Sequence, residues 1–202
     1  MVDKRERYAE GVTRLLPAGE RLRVVAEANV GLGLTPQDPP QPDRPEPGGG
    51  GPGLLGGLLN LLSPNITLGR ADAFAQWLFF GVGGRGAPGT EASLLHHALV
   101  TGVKGPGLRR AVLAVTDQRL LLGATARTGL TSSLAEDERA MADIELLRAV
   151  PRSAVARARV GWYRLNPKRL RIDFTDGSWL ALTVPLAEPG RPLREVASAL
   201  SG

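Results

Sequence analysis

The residues best suited to binding chemistry are basic side chains in the C-terminal half of the chain. Between Arg148 and Arg171 there are eight Arg or Lys and no Asp or Glu. A guanidinium group donates two parallel hydrogen bonds to a phosphate or carboxylate, so a cluster of them attracts an anionic surface. An ordinary solvated sheet face is the competing interpretation. The candidate binding residues are Arg157, Arg159, Arg164, Lys168, Arg169 and Arg171.

Two alternating runs, 169–175 and 179–184, form the region that contains Arg169 and Arg171. Their period of two predicts strands with one buried and one wet face. A three-residue loop at 175–177 keeps both apolar sets on one face, with Ile172 opposite Leu180 and Leu170 opposite Leu182. Gly177 supplies the left-handed conformation that such a loop needs. If the strand carrying Arg157 and Arg159 joins this hairpin, the guanidinium groups cluster on the wet face.

The stretch "GVGGRG" at 81–86 matches the glycine pattern of a dinucleotide-binding loop. A nucleotide site needs a helix that starts within the motif and an acidic residue about twenty positions later. Pro88 and Gly89 interrupt the chain instead, and the acidic residue is missing. We therefore expect a flexible loop, with a nucleotide-binding enzyme as the alternative function.

Metal and covalent chemistry find little support in the composition. The chain has no cysteine, and its two histidines, His96 and His97, are adjacent and so point to different sides of any regular element. We expect no metal, no cofactor and no catalytic residue. Because no apolar run follows Met1, we also expect a cytoplasmic protein, with peripheral membrane attachment as an option.

The segment "ADAFAQWLFF" at 71–80 is the second candidate contact surface. It holds four of the nine aromatic residues in the chain. At this length it is too short to span a bilayer. It could pack on its own domain, on a protein partner or second copy, or on a membrane interface. The candidate apolar contact residues are Phe74, Trp77, Leu78 and Phe80.

The chain divides into three parts by pattern. Residues 1–30 predict a helix and a first strand. Residues 31–107 read as a Pro/Gly-rich, partly disordered insertion, because twelve of the eighteen residues at 36–53 are Pro or Gly. Residues 108–202 predict several short strands, a helix capped by Ser133 and Glu136, and a terminal amphipathic helix. We predict a mainly β fold with capping helices.

Several stretches are similar to one family. "VLAVTDQRLLL", "VPRSAVARARV" and "RLRIDFTDGSWLALTV" resemble, in this order, bacterial pleckstrin-homology-like and GRAM-like domains, and "LLPAGERLRVVAEANV" resembles their opening. The resemblance covers residues 15–30 and 108–202. It implies a bent antiparallel barrel with a C-terminal helix at one end. It also implies a binding or scaffolding module for lipid headgroups or proteins.

The sequence thus favours a non-enzymatic module. Its expected partners are an anionic phospholipid surface, a protein or a second copy of the chain. Nucleic acid ranks last, because few aromatic residues alternate with the basic ones.

Overall fold

The structure, a computed structural model, describes residues 4–30, 32–35, 82–104, 106–129, 131–163, 166–184 and 190–202. The predicted linker at 36–53, the segment with Phe74, Trp77, Leu78 and Phe80, and Arg164 lie outside the described residues. The helices are α1 (Lys4–Arg14), α2 (Glu91–Val103), α3 (Leu134–Ala142) and α4 (Arg191–Ser201). The strands are β1 (Leu22–Glu27), β2 (Asn29–Val30), β3 (Leu32–Thr35), β4 (Val82–Arg85), β5 (Ala111–Thr116), β6 (Arg119–Thr125), β7 (Ile144–Pro151), β8 (Val155–Tyr163), β9 (Asn166–Phe174) and β10 (Trp179–Thr183).

The strands form two sheets, which confirms the predicted mainly β class. Sheet A has the order β1-β5-β6-β7 and is antiparallel throughout. Sheet B has the order β3-β4-β10-β9-β8, and β2 also pairs with β10. In sheet B the pairing of β3 with β4 is parallel. In the described part of the chain no pairing joins β7 to β8, so the sheets do not close into one continuous barrel there.

Two short connections join the sheets directly, in addition to the longer return from β4 through α2 to β5. At Ala28 it passes from β1, which pairs with β5, into β2, which pairs with β10. After Pro151 a single turn of 3-10 helix, Arg152–Ala154, leads from β7 at the edge of sheet A into β8 at the edge of sheet B. These two connections hold the sheets face to face around one interior.

The β9–β10 hairpin has the predicted register. Ile172 pairs with Leu180 and Leu170 pairs with Leu182. Gly177 has a φ of 82°, and its amide donates to the Phe174 carbonyl at 3.1 Å. All four paired leucine and isoleucine side chains are buried. The turn chemistry and the alternation therefore specify the same face, since a shift by one residue would turn this apolar set to the solvent.

The main core lies between the two sheets and is completed by helices. Apolar residues of β5, β6, β9 and β10 meet Leu193, Val196 and Leu200 of α4. The predicted apolar stripe of the terminal helix is thus confirmed. At about 25 cal/mol per Å² of apolar area removed from water, such a core is the principal source of stability.

A second apolar cluster covers the outer face of sheet A. Tyr8 and Val12 of α1 and Met141 of α3 pack there against residues of β1, β5, β6 and β7. Both faces of sheet A are therefore covered, and all six residues of β5 are buried. This explains why "AVLAVT" is apolar without strict alternation.

Part of the predicted insertion belongs to the folded body. β4 pairs with β10, and Ala92, Leu95 and Leu99 of α2 are in the main core. The expectation that residues 31–107 lie outside the core is wrong for these residues. In β1 a bulge at Arg23 turns Leu22 to the outer cluster, whereas Val24 faces the main core.

Candidate functional site

The outer face of sheet B gathers four arginines and one tryptophan. We call this surface the arginine face and define it by Arg157 and Arg159 of β8, Arg169 and Arg171 of β9, and Trp179 of β10. The pairing of the strands fixes it: Arg159 lies opposite Arg171, and Asp173 lies between Arg157 and Trp179. The alternate residues Ala158, Ile172 and Leu180 are buried in the main core, so the arginines face away from it. The predicted clustering of guanidinium groups is confirmed for these strands.

Arg171 is held in place by two neighbours. Its Nη2 and Nε lie 2.6 and 2.7 Å from Oδ1 of Asp173. Its guanidinium carbon lies 4.4 Å from the centroid of the Trp179 ring. Stacking on the indole face and pairing with the carboxylate fix the side chain over the sheet. Arg171 is therefore a preorganised cation.

Arg157 and Arg159 differ from Arg171 because both are exposed. Neither forms an ion pair with any residue that the structure describes. Like charges directly opposite on neighbouring strands destabilise a sheet by a few tenths of a kcal/mol or more. The pairing of Arg159 with Arg171 thus opposes folding slightly, and an anion between the two groups would relieve it.

Two other predicted binding residues, Arg169 and Lys168, are not exposed. Arg169 is 8% exposed, and its guanidinium lies over the Trp179 ring, 5.5 Å from the centroid. The alternation predicts that Arg169 faces solvent, but its side chain is buried against the Trp179 indole. Lys168 is half-buried and lies beside Gly190 at the start of α4, on the side opposite Arg169 and Arg171. The prediction that Lys168 belongs to the same surface as Arg169 and Arg171 is therefore wrong.

Trp162 near the end of β8 is the most exposed large apolar side chain that the structure describes, at 77%. A bulge between Gly161 and Tyr163 interrupts the register at this point. Trp162, Trp179 and Asp173 are not among the site residues that the sequence predicts. The parity of the alternating runs could have placed Trp179 on the wet face with Arg171. No pattern in the sequence indicates the exposure of Trp162.

The glycine-rich stretch forms a regular element rather than the expected flexible loop. Val82–Arg85 are β4, and α2 starts at Glu91 after a turn. The start of α2 is already occupied. The Glu91 amide donates to the Asp176 carboxylate at 2.8 Å, and the Ala92 amide donates to the Ser178 hydroxyl at 3.2 Å.

Asp176 also accepts hydrogen bonds from the amide and hydroxyl of Ser178, at 2.9 and 2.6 Å. Desolvation raises the pKa of this carboxyl, but the hydrogen bonds from Ser178 and Glu91 outweigh it and leave the pKa lowered. The turn of the β9–β10 hairpin therefore caps α2 across more than eighty residues of chain. The helix terminus that a phosphate would need carries a carboxylate of the chain itself.

The histidines lie on different sides of α2, as expected from their adjacency. His96 is half-buried, whereas His97 is exposed. Burial lowers the pKa of His96, and the nearby His97 lowers it further. Within the described ranges no three His, Asp or Glu side chains are grouped so that they could hold a metal ion.

No protein-family model, curated protein or solved structure matches this chain. Among the helices that the structure describes, none is long and apolar enough to cross a membrane. The arginine face is the candidate site, because folding alone does not require four arginines on one face of a sheet.

Proposed function

We propose that this chain is a non-enzymatic binding module that engages an anionic partner through its arginine face. The observation that carries the proposal is the pairing of exposed Arg159 with Arg171, a fixed cation, directly across two strands. Arg157 and Trp162 extend the same strand as exposed residues. Arginine and tryptophan are the side chains most enriched where binding energy concentrates.

We propose membership of the pleckstrin-homology-like class, although the two sheets do not close into one barrel in the described residues. The proposal draws on the chain that passes at Ala28 from sheet A into sheet B and on the terminal helix that packs into the core between the sheets. Fold alone assigns no ligand, and the proposal rests on the face itself.

A nucleotide-binding enzyme is the competing function. A strand at Val82–Arg85 and a following helix are present, as such a site requires, but α2 starts at Glu91, after the motif has ended, rather than within it. This function is disfavoured because Asp176 and Ser178 accept the hydrogen bonds of the first two amides of α2. A nucleotide phosphate would have to displace a carboxylate that is itself hydrogen-bonded.

The test measures binding of the full chain to two anionic probes, a fluorescent acidic peptide and phosphatidylserine-containing vesicles, at low and high salt. Neutral vesicles are the reference. We expect binding to at least one anionic probe and weakening with salt, because exposed charges are screened over about 10 Å at 0.1 M. The double variant Arg157→Glu with Arg159→Glu should weaken binding at least tenfold, at about 1 kcal/mol per charge near an anionic surface.

The matched control reverses Arg21 and Arg23, two exposed arginines with the same spacing at the edge of sheet A. Both double variants change the net charge equally, so a general charge effect would weaken the binding of both variants to the probes equally. Selective loss in the Arg157/Arg159 variant supports the proposal. Equal loss in both variants, or no salt-sensitive binding of either probe by the unaltered chain, rejects it.

A further inference from the structure

We propose that β8 is a docking edge for an extended acidic segment of a partner protein, which adds to sheet B as a further strand. This inference rests on the proposed function, since it names the partner of the arginine face. The exposed members of that face, Arg157 and Arg159, both belong to β8. An extended segment beside β8 would place its outward side chains next to them.

No strand pairs with the outer edge of β8 in the described part of the chain. β8 is the terminal strand of sheet B, nine residues long, and it pairs with β9. The end of α4 packs against β8, where the Ser201 hydroxyl donates to the Ala158 carbonyl at 3.3 Å, and the Val155 amide donates to the Arg152 carbonyl. The other backbone groups on this edge are a template for a further strand.

Two bulges bound the usable length of this edge. The register shifts between Val155 and Arg157 and again between Gly161 and Tyr163. Residues 157–161 remain in regular register, which suits a short segment rather than a long one. Trp162 follows directly and offers an exposed aromatic anchor at the end of this edge.

Charge selects an acidic partner and disfavours a second copy of this chain. β8 carries Arg157 and Arg159 and no acidic residue. Two β8 edges paired with each other would bring their arginines together, and like charges across a strand pair are destabilising. Glutamate or aspartate at alternate positions of an incoming strand would instead face them. The same charges that prevent self-pairing of the edge therefore admit one class of partner.

The test uses fluorescein-labelled peptides of alternating valine and glutamate, titrated into the full chain by fluorescence anisotropy. In a strand pair, alternate amides of the peptide face the neighbouring strand and the others face away. Two further peptides of identical charge carry N-methyl groups on one or the other alternate set of amides. We expect one N-methylated peptide to bind at least tenfold more weakly than the parent and the other to bind within about threefold. The Arg157→Glu/Arg159→Glu variant should no longer bind the parent peptide.

The outcomes separate this inference from the proposed function. Equal binding of all three peptides overturns strand addition but leaves an anionic interface in place. Equal loss with both N-methylated peptides also overturns it. Binding to phosphatidylserine vesicles without binding to the parent peptide identifies a membrane as the partner and overturns the inference alone. If neither vesicles nor the parent peptide bind, both proposals fail.

Discussion

Removal of the Asp176 carboxylate should weaken the attachment of α2 to the rest of the fold. The carboxylate accepts hydrogen bonds from the Glu91 amide and from the amide and hydroxyl of Ser178. Replacement of a helix cap by alanine costs about 1 kcal/mol, with a range of about 0.5–2. Because Asp176 is exposed, its removal leaves no buried cavity, and the loss of the cap sets the effect. We expect Asp176→Ala to lower the free energy of unfolding by about 1–2 kcal/mol.

The assay combines urea unfolding with amide hydrogen exchange at neutral pH. The matched control is Thr175→Ala, which alters the neighbouring exposed residue of the same turn. Protection should fall at Glu91, Ala92 and the following amides of α2, while the β5–β6 hairpin should exchange as before. A loss of stability no larger than that of the control would refute the reasoning. So would a loss spread evenly over all elements.

The pH dependence has a definite sign. The pKa of the folded Asp176 carboxyl is lowered below its ordinary value of about 3.9. Its contribution is therefore fully present above the unfolded pKa and is lost as the pH falls through the folded pKa. The difference between the unaltered chain and Asp176→Ala should be constant near neutrality and should shrink below about pH 4. A difference that grows on acidification would contradict this assignment.

Two further stability predictions concern other polar and backbone features. The Glu20 side chain is 2% exposed and accepts hydrogen bonds from Arg119 and Thr116. Glu20→Ala should therefore lower the free energy of unfolding in urea by about 3 kcal/mol. The control Glu10→Ala, at an exposed ion pair, should lower it by less than about 0.5 kcal/mol. A cost under about 1 kcal/mol would mean that the Glu20 pair is not a structural contact. Gly177→Ala should cost about 1 kcal/mol because its φ is positive, while Gly161→Ala, with open space at its Cβ, should stay within about 0.5; equal costs would contradict the turn assignment.

Local pattern was sufficient for the hairpins and the terminal helix. In β9 and β10 the alternation and Gly177 point to the same register, and a shift by one residue would turn Leu170 and Leu182 out of the core. The capping box of Ser133 and Glu136 is likewise present, because both partners lie within one turn of chain. These features depend on residues that are close in sequence.

Features that depend on distant residues were not predictable in the same way. Asp176 looked like a turn residue, because nothing near it in the sequence indicates that Glu91 lies within hydrogen-bonding distance. The role of β4 in sheet B depends on its contact with β10. The burial of Arg169 follows from the position of Trp179 on the neighbouring strand. The arginine face was therefore predicted as a cluster but not in its detail.

The most direct test of the central claim is to map where an acidic ligand contacts the chain by NMR. The valine–glutamate peptide is titrated into isotopically labelled protein, and the backbone amide shifts are followed. We expect the largest shifts along β8 and β9, at 155–163 and 166–174, with the indole of Trp162 among them. Shifts centred instead on other basic surfaces, such as Arg7 and Arg14 of α1 or Arg139 of α3, would contradict it.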